Sequence, residues 1–143
     1  MTQGERTPAV FFTKDMPSCL SEVDEVCDDV RTFLEGEGLA VYCFSLELMV
    51  REAVNNAILH GNCRNNDKRV TLDLSIGKKW IRAAITDEGA GFNWRRARRK
   101  PMPDATSISG RGLCIIASYA DRLTYNRLGN RVTVWIDKAG AKR

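Results

Sequence analysis

The spacing of apolar residues changes near Gly61, and that change constrains the fold more than any other feature of the chain. Upstream, Leu20, Val23, Val26, Val30 and Phe33 recur every three to four residues, the period of an amphipathic helix over Ser18 to Leu34. Gly36 and Gly38 follow it, as glycines commonly do just past a helix. A second helix is expected from about Val41 to His60, with Gly61 as its stop. Downstream the period becomes two. "RVTLDLSIG" alternates apolar and polar residues, and "KKWIRAAITDEG" follows after a Gly-Lys turn, which together read as an antiparallel hairpin. "RLTYNRLGNRVTVWID" reads as another hairpin turning near Gly129-Asn130, and "AVFFT" as a short first strand. Between the hairpins, residues 88–110 read as a long loop, and "GRGLCIIASYAD" opens a third helix. Loops of that length in a compact chain are commonly lids or binding loops.

The resulting order, β-α-α-β-β-loop-α-β-β, predicts an α+β fold: a two-layer α/β sandwich whose mostly antiparallel mixed sheet carries its helices on one face. Residues 1–143 are expected to form a single domain, long enough to bury a proper core. Apolar runs are far shorter than a bilayer-spanning helix, so no membrane association is expected. The start "MTQGERTPAV" has neither the basic region nor the apolar core of a signal peptide, which makes the cytoplasm the expected compartment. The cysteines, Cys19, Cys27, Cys43, Cys63 and Cys114, are odd in number and lack a C-x-x-C pair. That argues against a zinc site and for buried free thiols.

The net charge of +4 conceals an asymmetry, a balance of −7 over residues 1–60 and +11 over residues 61–143. A basic half attracts nucleic acid, an anionic ligand or an acidic protein surface, and charge alone does not choose. Five basic residues, Arg95, Arg96, Arg98, Arg99 and Lys100, fall within six positions of the long loop. Such a run is most often solvated; here it could also close over phosphates or meet an acidic partner. Direct nucleic-acid binding is disfavoured, because only Trp94 interrupts the run with an aromatic ring and no nucleic-acid module surrounds it.

Three short segments carry chemistry. In "REAVNNAILHGN", Glu52 and Asn56 lie four residues apart and share a helix face. A carboxylate there can accept a proton, and a carboxamide oxygen suits a hard cation such as Mg2+. Taken alone, E-x-x-x-N is a common pattern on solvated helices. In "TDEGAGF", Asp87 precedes Gly89 and Gly91 at the end of a strand. The glycines permit close approach of a flat ligand, and the carboxylate can accept from an exocyclic amine. An ordinary strand-ending turn fits that segment equally well. In "SGRGLCII", Gly110 and Gly112 precede an apolar helix whose exposed N–H groups form an anion site, with Arg111 between them. A ligand-free junction reads the same way.

Together and in this order, the three resemble the N, G1 and G2 boxes of the GHKL ATPase superfamily, the histidine-kinase-like ATPase fold. The likeness is nearest to the short bacterial anti-sigma factors that are also serine-protein kinases. "EAVNNAILHG", "DEGAGF" and "GRGL" carry it, within a resemblance that runs from the first strand to the last. It implies an ATP- and Mg2+-dependent protein kinase with Glu52 as general base and Asn56 holding Mg2+ against the phosphates. It further implies Asp87 on the adenine amine, a pocket shaped by Gly89 and Gly91, and Gly110, Arg111, Gly112 and Leu113 on the phosphate side. Thr133 matches a strand hydroxyl that helps bind adenine. His60 falls where the family often has a histidine, with a helix-end structural role expected. Asn55 stands where many such kinases have Thr, close to the phosphates, which leaves open a nucleotide-binding anti-sigma module without kinase activity. The partners implied are a sigma factor and a STAS-type anti-anti-sigma protein, and the resemblance also suggests homodimers.

Overall fold

The computed structural model describes residues 10–91 and 115–140. Its strands are β1 (Val10–Pro17), β2 (Arg69–Ile76), β3 (Trp80–Thr86), β4 (Arg122–Tyr125) and β5 (Arg131–Asp137), and its main helices α1 (Val23–Gly36) and α2 (Cys43–Asn56). The strands form one five-stranded sheet in the order β1-β2-β3-β5-β4. The sheet expected as mostly antiparallel is antiparallel at every described pairing.

Alternation in the strands decides which face is buried. In β2, Val70, Leu72, Leu74 and Ile76 are all buried, and they stand opposite Met16 of β1 and Ile85, Ala83 and Ile81 of β3. Val134 and Ile136 of β5 continue the same face. Against it pack Val23, Val26, Val30 and Leu34 from α1, and Leu46, Met49, Val50 and Val54 from α2. Each large apolar side chain contributes roughly 1.5–3 kcal/mol by leaving water. The helices therefore lie on one face of the sheet, as the two-layer reading requires.

Local boundaries differ from the sequence expectation in ways that matter for the site. β1 runs on to Pro17 because it pairs with β2 along its whole length, and a proline is tolerated at the end of an edge strand. α1 is preceded by a 3-10 turn at Leu20–Glu22 and α2 by one at Ala40–Tyr42. Past Asn56 the helix widens into a π turn, Ala57–Gly61. There the Asn62 N–H donates to Ala57 O at 2.8 Å, five residues back, and Cys63 and Arg64 then take left-handed φ values of 52° and 62°.

Among the thiols, Cys27 is buried and Cys19 and Cys43 partly so, but Cys63 is exposed, because it sits on the loop that leaves the π turn. That corrects the expectation of uniformly buried cysteines. Gly110, Arg111, Gly112 and Leu113, the basic run Arg95–Lys100, and Cys114 lie outside the described residues. Residues 115–119 are helical, with Ile116 in the core and Tyr119 meeting the Phe44 ring of α2 edge-on at 6.0 Å. Among the described residues no helix is long and apolar enough to cross a membrane.

Candidate functional site

Helix α2 turns an apolar stripe of Leu46, Met49, Val50, Ala53 and Val54 toward the sheet. Its flank nearest α1 is closed by ion pairs. The Arg31 guanidinium grips Glu47 with two bonds, Nε to Oε2 at 2.9 Å and Nη2 to Oε1 at 2.7 Å, and Arg51 reaches Asp24 at 2.8 Å. Glu52 and Asn56 occupy the other flank, one turn apart, about 6 Å along the axis. Both are half-buried. Among the described residues no hydrogen bond or ion pair engages either side chain.

The second part of the site follows β3. Ile85 faces the core, so Asp87, two residues on, projects to the same side, toward the helices. Its carboxylate folds back on its own turn, with Oδ1 accepting the Gly89 N–H at 2.7 Å. It presses on the end of the π turn as well: a Cβ placed on Gly61 would lie 2.3 Å from Asp87 Oδ2, and one on Gly89 would lie 1.9 Å from the Gly61 carbonyl oxygen. Only glycine fits at both places. Oδ1 is engaged by the turn, and Oδ2 remains the oxygen suited to a ligand donor. Burial pushes the Asp87 carboxyl above the usual range, against the opposing pull of the Gly89 N–H and the Lys68 charge.

The sequence profile of the histidine kinase-like ATPase domain matches residues 16–136, which include α1, α2 and the Asp87 loop. The chain belongs to that family. Among curated proteins it is similar to the anti-sigma F factor of Bacillus velezensis, 31% identical over 82 residues, which cover 55% of this chain and 56% of that protein. It is similar also to the anti-sigma F factor of Clostridium beijerinckii, 31% identical over 94 residues, covering 62% of this chain and 65% of that protein. The chain thus spans about half to two thirds of the length of the curated relatives it matches.

Within this histidine kinase-like ATPase domain, the structure brings some of the residues singled out in the sequence together and not others. Asp87 and Gly89 come together at the end of the helix that carries Glu52 and Asn56, with Gly61 as the point of contact. Gly91 serves the same loop from the other side: its φ is +87°, and a Cβ there would lie 1.9 Å from the Leu128 carbonyl oxygen in the β4–β5 turn. His60 stands exposed on the π turn. Gly110, Arg111, Gly112 and Leu113 fall outside the described residues.

Thr133 is the exception. In β5 the core face belongs to Val134 and Ile136, with Val132 packed against it, so the alternation turns Thr133 to the opposite face. There it pairs with Ala84, whereas Val132 pairs with Ile85, two residues before Asp87. Thr133, expected as a strand hydroxyl that helps bind adenine, therefore lies on the face of the sheet opposite Asp87, and Val132 holds the neighbouring position on the helix side. One step of register makes that difference.

Two contributors were not legible as such in the sequence. Gly61 reads as a helix stop, yet its missing side chain is what admits the Asp87 carboxylate. Asn62, in the turn-like "GNCRNND", is 1% exposed and bonded to three segments of the chain. The only sequence signal for either was the departure from helical period at that point.

The residues present fit a nucleotide and its metal. The glycine-lined carboxylate offers an acceptor oxygen where a side chain would block approach, and the apolar Ile85 and Val132 stand beside it. No group of three or more His, Cys, Asp or Glu is placed to hold a metal ion among the described residues. Asn56 is accordingly suited to contribute one amide oxygen to a hard cation that takes its remaining ligands from phosphate and water.

Proposed function

We propose that the chain binds Mg2+-ATP at the Asp87 cradle and acts in the cytoplasm as an anti-sigma factor that is also a serine-protein kinase. The observation that carries the nucleotide reading is the half-buried Asp87 carboxylate seated against Gly61 and Gly89. One oxygen of this carboxylate is bonded to its own turn, which leaves the other as an acceptor for a ligand that the two glycines allow to approach closely. Oδ2 would accept from the adenine amine, and Asn56 would hold Mg2+ on the phosphate side of α2. Bound ATP supplies the phosphoryl group, and its metal offsets the charge on the phosphates.

The remaining work falls to the protein. Glu52 lies one turn before Asn56, on the flank of α2 without ion pairs among the described residues, placed to take the proton of an incoming serine hydroxyl. Phosphoryl transfer asks little more than such positioning and charge stabilisation. Similarity to anti-sigma F factors supports a sigma factor as the protein held; a STAS-type anti-anti-sigma protein as the phosphorylated partner follows from the family resemblance of the sequence motifs.

The test is capture of partners from the native cytoplasm with and without ATP, followed by mapping of phosphoserine on the captured proteins. The expected result is ATP-dependent retention of a sigma factor and a phosphoserine on a small anti-anti-sigma protein. Retention without any phosphoserine would leave a nucleotide-binding anti-sigma module, and the kinase assignment would fall.

A further inference from the structure

Asn62 and Ser18 are the two most buried polar side chains among the described residues, 1% and 2% exposed, and neither belongs to the proposed catalytic or metal-binding set. We propose that Asn62 is the positioning residue that holds the Asp87 carboxylate in its ligand-binding pose, with Ser18 as its anchor. The proposal rests on the reading of Asp87 as acceptor for the adenine amine.

The hydrogen bonds fix the direction of every group involved. Asn62 Nδ2 donates to Ser18 Oγ at 2.7 Å and to the Arg69 carbonyl oxygen at 3.0 Å. With both amide protons committed, Oδ1 must face the other way, where it accepts the Glu88 N–H at 2.8 Å. Ser18 cannot rotate to compete, because its own hydroxyl proton goes to the Lys68 carbonyl oxygen at 2.7 Å. Burial makes each bond stronger, and its loss costlier, than an exposed equivalent.

The bond to Glu88 matters because of the peptide unit it holds. The plane joining Asp87 to Glu88 carries the Asp87 carbonyl at one end and the Glu88 N–H at the other. Asn130 Nδ2 grips the carbonyl at 3.0 Å and Asn62 grips the N–H. The Asp87 N–H, in turn, donates to the Asn130 carbonyl oxygen at 2.9 Å. A peptide plane held at both ends leaves Asp87 little freedom in ψ, so its carboxylate stays aimed beside Gly61. Asn62 also follows the π turn directly, which ties the adenine acceptor to the helix carrying Asn56 and Glu52. Beside the Gly61 contact, this amide thereby links the base end of the site to its phosphate end by hydrogen bonds.

The experiment compares ATP with purine riboside triphosphate, identical except for the missing amine, by calorimetry on wild type, Asn62→Ala and Ser18→Ala, with thermal melts alongside. Wild type is expected to prefer ATP by about 10- to 100-fold, as suits a hydrogen bond to a charged acceptor. Asn62→Ala is expected to bring that ratio close to one while the folded protein still binds triphosphate. Ser18→Ala, which leaves the bond to Glu88 in place but loosens its support, should lower the ratio by a few-fold. A purely structural residue would lower the melting temperature and weaken both nucleotides equally, so an unchanged ratio in Asn62→Ala overturns the proposal. Should that variant not fold, an unchanged ratio in Ser18→Ala overturns it instead. A wild type without preference for ATP would sink the Asp87 reading itself, and the proposal with it.

Discussion

Helix α2 carries a carboxylate on each flank, and their surroundings could hardly differ more. Glu47, on the side of α1, is held by both nitrogens of a bidentate Arg31 pair and is mostly covered. The two partners fix each other: the Arg31 guanidinium is driven above its ordinary pKa chiefly by its hydrogen bonds to Glu47. Five residues on, Glu52 lies on the opposite flank beside Asn56, with no ion pair or hydrogen bond among the described residues. The same side-chain type on the same helix is thus spent on packing in one case and left available in the other. A carboxylate satisfied by its neighbours stabilises the fold; one left unsatisfied on a half-buried flank is available for chemistry.

That contrast can be broken most sharply at Glu52. Glu52→Gln keeps shape and hydrogen bonding but removes basicity, and should slow single-turnover serine phosphorylation by roughly 10²–10⁴-fold. ATP affinity and melting temperature should stay near wild type. Glu47→Gln should transfer phosphate at the wild-type rate, and equal slowing by both variants would erase the distinction between the flanks.

The next largest effect belongs to Asn56. Asn56→Ala should weaken binding of Mg2+-ATP by about 10- to 100-fold, the usual range when a metal's support is cut away, and affect metal-free ATP much less. Titrations with and without Mg2+ decide it, since equal losses would make Asn56 a packing residue like those on the other flank.

Smaller effects are expected in stability. Glu47→Gln should cost about 1 kcal/mol or less in urea unfolding, because Arg31 is substantially exposed and its pair is screened. Asp87→Asn should act in the opposite direction and stabilise the ligand-free protein slightly, by under about 1 kcal/mol, since it removes a half-buried charge. The sign follows from the raised pKa. The folded state holds the Asp87 proton more tightly than the unfolded chain, so its contribution to stability falls as pH rises from the ordinary carboxylate range through the folded value. ATP affinity should move the other way and weaken as pH falls through that window, because a protonated carboxyl loses its acceptor role. Comparing wild type with Asp87→Asn across pH isolates this one group.

Much of the fold was legible because burial writes itself into period. The alternation of Val70, Leu72, Leu74 and Ile76 and the helical spacing of Val23, Val26 and Val30 each report which side faces the core. The candidate site was legible in its local spacings, where residue types are few: Glu52 one turn from Asn56, and Asp87 two residues before Gly89. Features decided by contacts distant in sequence were hidden. Gly61 and Asp87 lie far apart along the chain, so nothing local says that one must lack a side chain to admit the other. The bonds of Asn62 to Ser18 and Glu88 are hidden for the same reason. The face that Thr133 occupies was hidden in another way. Its residue type suited an adenine pocket, but the register of β5 against β3 turns it away and puts Val132 in the neighbouring place.

The most direct measurement is calorimetric titration of ATP into wild type and Asp87→Asn under the same conditions, with Mg2+ present. The substitution preserves size and the bond from the Gly89 N–H, while replacing an acceptor oxygen with a carboxamide NH2 donor that confronts the adenine amine. The expected result is clear binding to wild type and a loss of about 10- to 100-fold in the variant, even though its ligand-free fold is no less stable. Equal affinity in the two proteins would mean that the Asp87 cradle does not hold the base.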